Sequence, residues 1–93
     1  MIVYISIDNS DDKLSQKKWS NFWKVIDQLV RTGVDEIHGC WLSEPSSEFQ
    51  NACWCVEFNS HRAGILKNML STYARQYNQD SIAWAEAENT EFI

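Results

Sequence analysis

A chain of 93 residues with 44% hydrophobic and 13% aromatic residues can fill one core, and its three glycines and one proline argue against linkers or disordered arms. No apolar run approaches the ~20 residues that a membrane span needs. The net charge of −5 argues against a surface that holds nucleic acid directly, which requires clustered Lys and Arg.

That charge is unevenly placed. Residues 1–33 carry five Lys/Arg against four acids, and residues 34–93 carry three against nine. Met1–Asp8 has no basic region and no cleavage site, so it reads as a strand rather than a signal peptide. Three cysteines, Cys40, Cys53 and Cys55, leave one thiol unpaired under any disulfide pairing. Reduced thiols in a cytoplasm are the expectation.

The first strand is expected over Ile2–Ile7, with Val3, Ile5 and Ile7 on one face and Tyr4, Ser6 and Asp8 on the other. A polar turn, Asn9–Lys13, follows. Ser15 is a good N-cap for a helix whose stripe is Trp19, Phe22, Trp23, Ile26, Leu29 and Val30. Gly33 is placed to end it in the left-handed conformation. The second strand spans about Glu36–Leu42, with Gly39 marking a bulge or a close backbone approach. Ser43–Asn51 is too long for a two-residue hairpin turn and is expected to project.

The third strand, Ala52–Phe58, sets Trp54, Val56 and Phe58 against Cys53, Cys55 and Glu57. Ser60 is read as the cap of a second helix, with Ile65, Leu66, Met69, Leu70, Tyr73 and Tyr77 buried and Asn78 as its left-handed end. A last strand, Ser81–Ala87, runs into an acidic tail. Five tryptophans are many for this length, and some are expected to mark a contact surface.

The order strand, helix, strand, strand, helix, strand predicts one α+β domain over 1–93. The arrangement is the ferredoxin-like βαββαβ sandwich, a four-stranded antiparallel sheet with two helices on one face. Its strand order is fourth, first, third, second. This fold hosts many unrelated functions. The face without helices is expected to carry Tyr4, Ser6, His38, Cys40, Leu42, Cys53, Cys55, Ala83 and Ala85. That surface is weakly apolar and thiol-rich. A homodimer through it, a protein target and simple exposure to water all fit.

His38, Cys40, Cys53 and Cys55 share residue types with zinc sites. Cys-x-Cys on a flat strand spreads its sulfurs too far, so no metal and no cofactor are expected there. His38 and His61 lack a partnered Ser or Cys at motif spacing, and Gly33, Gly39 and Gly64 are isolated rather than a phosphate loop. No catalytic residue is assigned. Glu44 and Glu48 on the loop and Glu86, Glu88 and Glu91 on the last strand and tail would form a negative patch beside Trp41 if hairpin and tail converge. Such a patch steers basic partners, and it also simply solubilises a small protein.

Two resemblances add to this. Val3-Tyr4-Ile5-Ser6-Ile7-Asp8-Asn9-Ser10-Asp11-Asp12-Lys13 resembles the opening of the small nucleases of CRISPR adaptation. It implies a metal-dependent nuclease using Asp8; the same residues also make an ordinary Asx-rich turn. Gly39-Cys40-Trp41, Glu44-Pro45-Ser46 and Tyr77-Asn78-Gln79-Asp80-Ser81-Ile82 resemble small phage and mobile-element proteins with a Gly-x-Trp, Glu-x-Ser and Asn-Gln-(Asp/Glu)-Ser pattern. That resemblance implies an inhibitor of host defence of the anti-CRISPR type. The expectation is a non-enzymatic protein-binding module meeting a host protein or complex through Trp41, Glu44, Glu48, Glu86 and Glu88.

Overall fold

The computed structural model describes residues 1–9, 11–88 and 91–93. Ser10, Asn89 and Thr90 lie outside the described residues, so the turn after the first strand and the acidic tail are described only in part. The elements are β1 (Ile2–Asp8), α1 (Gln16–Gly33), β2 (Glu36–Leu42), β3 (Asn51–Glu57), a 3-10 turn (Ser60–Arg62), α2 (Ala63–Gln76) and β4 (Ala83–Glu86). They form one antiparallel sheet in the order β2-β3-β1-β4, the order expected.

Alternation decides which face of the sheet is dry. Val3, Ile5 and Ile7 of β1 and Ala52, Trp54 and Val56 of β3 are buried, and they form one core with Trp19, Phe22, Ile26, Leu29 and Val30 of α1 and Leu66 and Leu70 of α2. Both helices therefore cover the same face. Each fully buried large side chain stabilises the fold by about 1.5–3 kcal/mol. The indole of Trp54 is anchored as well as buried: its Nε1 donates to Asp27 Oδ1 of α1 at 2.9 Å.

Ser15 caps α1 as expected, its side chain accepting from Lys18 N at 3.2 Å. Ser15→Ala is expected to cost about 1 kcal/mol, read from the urea midpoint.

Several local expectations are corrected. Gly33 does not adopt positive φ; it is the last residue of α1, where a Cβ would stand 3.2 Å from Leu66 Cδ1, so close approach of α2 is its constraint. Asn59, not Ser60, caps the second helical segment by accepting from His61 N at 3.0 Å. The buried stripe of α2 is Leu66, Leu70 and Ala74, while Ile65 and Met69 are exposed. Asn78 does take the left-handed conformation, at φ 56°.

A buried polar cluster, invisible in the periodicity, pins both chain reversals at one end of the sheet. Asn9 donates to Leu14 O and Gln50 Oε1, each at 3.0 Å, and accepts from Leu14 N at 2.9 Å. Gln50 also bonds the side chain of Gln16 and donates to Pro45 O. Asn9 and Gln50 are almost fully buried. The loop between β2 and β3 is thus tied down at its base, where Ser43 Oγ accepts from Asn51 N and Ser47 Oγ from Phe49 N.

Candidate functional site

The uncovered face of the sheet is built by register. Its rungs read Trp41–Cys53–Ser6–Ala83 and Gly39–Cys55–Tyr4–Ala85 through the middle. Asp8–Asn51 closes one end, and Glu36–Glu57–Ile2 the other. The centre is therefore aromatic, small and neutral, and both ends are acidic. Tyr4 and Trp41 are 46% and 56% exposed, so two large rings stand on this face in contact with water.

The bulge in β2 gives Trp41 its place. Ile37 opposes Val56, and the next paired residue, Gly39, opposes Cys55. The extra residue reverses the alternation. Cys40 then opposes Trp54 and Leu42 opposes Ala52, which puts both on the helix side of the sheet. The expectation that Cys40 and Leu42 lie on the open face is thus overturned, and Trp41 takes that face instead. The proposed set of His38, Cys40, Cys53 and Cys55 cannot form, because one of its members faces away.

The thiols have different settings. Burial pushes the Cys40 thiol's pKa up, the charge of Asp27 adds to the effect, and Arg31 opposes it. A thiol held protonated is a poor nucleophile and a poor metal ligand. Cys53 and Cys55 are half-buried beside Tyr4. The Cys55 side chain raises the phenol's pKa, through a hydrogen bond first and charge second.

The acidic residues do not make one patch. Glu44 and Glu48 are exposed on the loop that follows Trp41, at the end of the sheet where β2 finishes. Glu86 opposes Val3 near the other end, on the opposite edge strand and toward the helices; it accepts from Trp84 Nε1 at 3.2 Å and lies 3.9 Å from Lys67 Nζ. Glu88 follows it, exposed. The hairpin loop and the end of β4 therefore stand at diagonal corners, and Glu44 and Glu48, unlike Glu86, share a neighbourhood with Trp41.

Asp8, at the end of β1, is exposed, as are Asp11 and Asp12. Asp11 engages Lys13, and Asp12 occupies a turn at φ 59°. Among the described residues these three aspartates do not form a group of converging ligand atoms; Glu36, His38 and Glu57 do. Glu57 was legible from its place beside Cys53 and Cys55 in the alternation, but its pairing with Glu36 across the hairpin was not.

Charge is sorted by layer. The helices and the 3-10 turn hold seven of the eight Lys/Arg and only one acid, Asp27. Among the described residues no strand carries a Lys or Arg. A cleft between α2 and the approach to β4 is lined by Leu70, Ala74, Ile82 and Trp84 and carries three charged residues: Lys67, which lies over the Trp84 ring, Asp80, which pairs with Lys13, and Arg75. Among the described residues no helix is long and apolar enough to cross a membrane. No protein-family model matches the chain, and no curated protein matches it.

Proposed function

We propose that this chain is a non-enzymatic protein-binding module whose contact surface is the open face of the sheet, and that its partner presents an apolar patch flanked by Lys and Arg. One observation carries the reading: the face exposes Trp41 and Tyr4 over a neutral centre, with acids at both ends and, among the described residues, no cation on any strand. Apolar centres with polar rims are the anatomy of protein interfaces, and exposed Trp and Tyr are their usual anchors. A second copy fits this face less well than a basic partner, since two such faces bring acids together with no cation to meet them.

Within this reading the module acts by covering a basic surface, as an inhibitor of a nucleic-acid-handling or defence complex. A mobile-element origin is supported by the Gly39-Cys40-Trp41, Glu44-Pro45-Ser46 and Asn78-Gln79-Asp80-Ser81 pattern alone. Trp41 is the anchor, and Glu44 and Glu48 extend the acidic rim on its side. Glu86, toward the helix layer, belongs to a separate surface, and Glu88 follows it in the chain.

Trp41→Ala is expected to weaken partner binding by about tenfold or more with the fold intact, because the ring is exposed and holds no core contact. Raising the salt concentration is expected to weaken it further. Affinity measured by calorimetry for wild type and variant, at two salt concentrations, checks both. Equal affinity in all four measurements would remove this surface from consideration.

A further inference from the structure

Glu36 and Glu57 stand directly opposite each other on β2 and β3. Carboxylates in direct cross-strand register repel, and no strand among the described residues supplies a Lys or Arg to offset them. What the chain places there is an imidazole. The bulge withdraws His38 from the rung that Gly39 shares with Cys55. Its Nε2 is 2.9 Å from Glu57 Oε1, and its Nδ1 is 3.9 Å from Glu36 Oε1. One ligand atom from each of the three residues lies within 4.8 Å of the others.

The geometry points to a divalent-cation site of the zinc class formed by Glu36, His38 and Glu57. The donor set selects the ion. Magnesium and calcium prefer all-oxygen surroundings, whereas one imidazole with carboxylates suits zinc and its first-row neighbours. Two donors each about 2.0–2.1 Å from such an ion lie about 3 Å apart, which is already the separation of His38 Nε2 and Glu57 Oε1. The contact of Glu36 is with the other ring nitrogen, Nδ1, so its exposed side chain must turn toward the Nε2 side of the ring to close as the third ligand. A divalent ion also removes the repulsion between the two glutamates. Three protein ligands leave coordination open to water or to a partner's side chain. Because the site is exposed, it binds more weakly than a structural zinc centre. It also weakens in acid, since these ligands must be deprotonated.

Calorimetric titration of the full chain with Zn²⁺ alone, in a reducing agent that does not bind metal, tests the site without any partner. Its result is therefore separate from the interface reading. One ion per chain is expected, with affinity about tenfold or more weaker in both His38→Ala and Glu57→Gln. Both side chains are solvent-facing, and circular dichroism checks that the variants keep the fold. Co²⁺ in place of Zn²⁺ is expected to lack the intense near-ultraviolet band of thiolate ligation. No heat at millimolar Zn²⁺ would overturn the site. So would undiminished binding by His38→Ala, or a thiolate band, which would move the ion to the cysteines.

Discussion

Trp54→Ala is expected to destabilise the protein by about 3–5 kcal/mol, a third or more of a total stability near 10 kcal/mol and nearly all of one near the low end of the usual range of about 5–15 kcal/mol. Trp54 is fully buried at the centre of β3, against both helices, and it is among the largest side chains in the core. Its removal opens a cavity and also deprives Asp27 of a donor at 2.9 Å, leaving that carboxylate to Arg31 alone. Trp54→Phe separates the two terms. It keeps much of the volume and loses the hydrogen bond, and it is expected to cost about 1–3 kcal/mol. Urea denaturation followed by circular dichroism reads both, and an unchanged midpoint for the alanine variant would contradict the core described above.

Asn9→Leu is expected to cost about 3 kcal/mol or more, although it exchanges one buried side chain for another of similar size. Three hydrogen bonds end at this amide, and its loss strands the Leu14 N–H and C=O and weakens the position of Gln50. Each buried polar group left without a partner costs about 1–3 kcal/mol. The damage is expected to spread through Gln50 to Pro45, so that the β2–β3 loop loosens. Amide exchange is the sensitive readout: faster exchange over residues 43–50 than over β1 and β3 is the expected pattern. Uniform protection with no loss of stability would show that the cluster does not hold the loop.

The fold was legible because its periodicities are strong. β1 and β3 alternate cleanly, α1 carries a continuous apolar stripe, and Ser15 and Asn78 sit at helix ends where their chemistry is used. β2 was legible in extent but not in facing. Gly39 signals a bulge, and a bulge reverses every later side chain, which turns Cys40 and Leu42 to the helix side of the sheet, where both remain exposed at the edge, and Trp41 to the open face. The apolar pattern of α2 is wider than its buried stripe, because Ile65 and Met69 are apolar without being needed to cover the sheet. The Asn9–Gln50–Gln16 cluster joins residues far apart in sequence, and no local pattern announces such a contact. The single acidic patch is ruled out for a topological reason: β2 and β4 are opposite edges running in opposite directions, so the loop after one and the end of the other are diagonal.

The open face is tested most directly by capture of binding partners from cell lysate at low and high salt. Tagged wild type is compared with Trp41→Ala, Cys55→Arg and Glu86→Lys, and the retained proteins are quantified by mass spectrometry. The expected result is one stoichiometric partner held by wild type and by Glu86→Lys, and lost at high salt and from both open-face variants. The same partner retained equally by Trp41→Ala and Cys55→Arg would contradict the account and place binding elsewhere on the molecule.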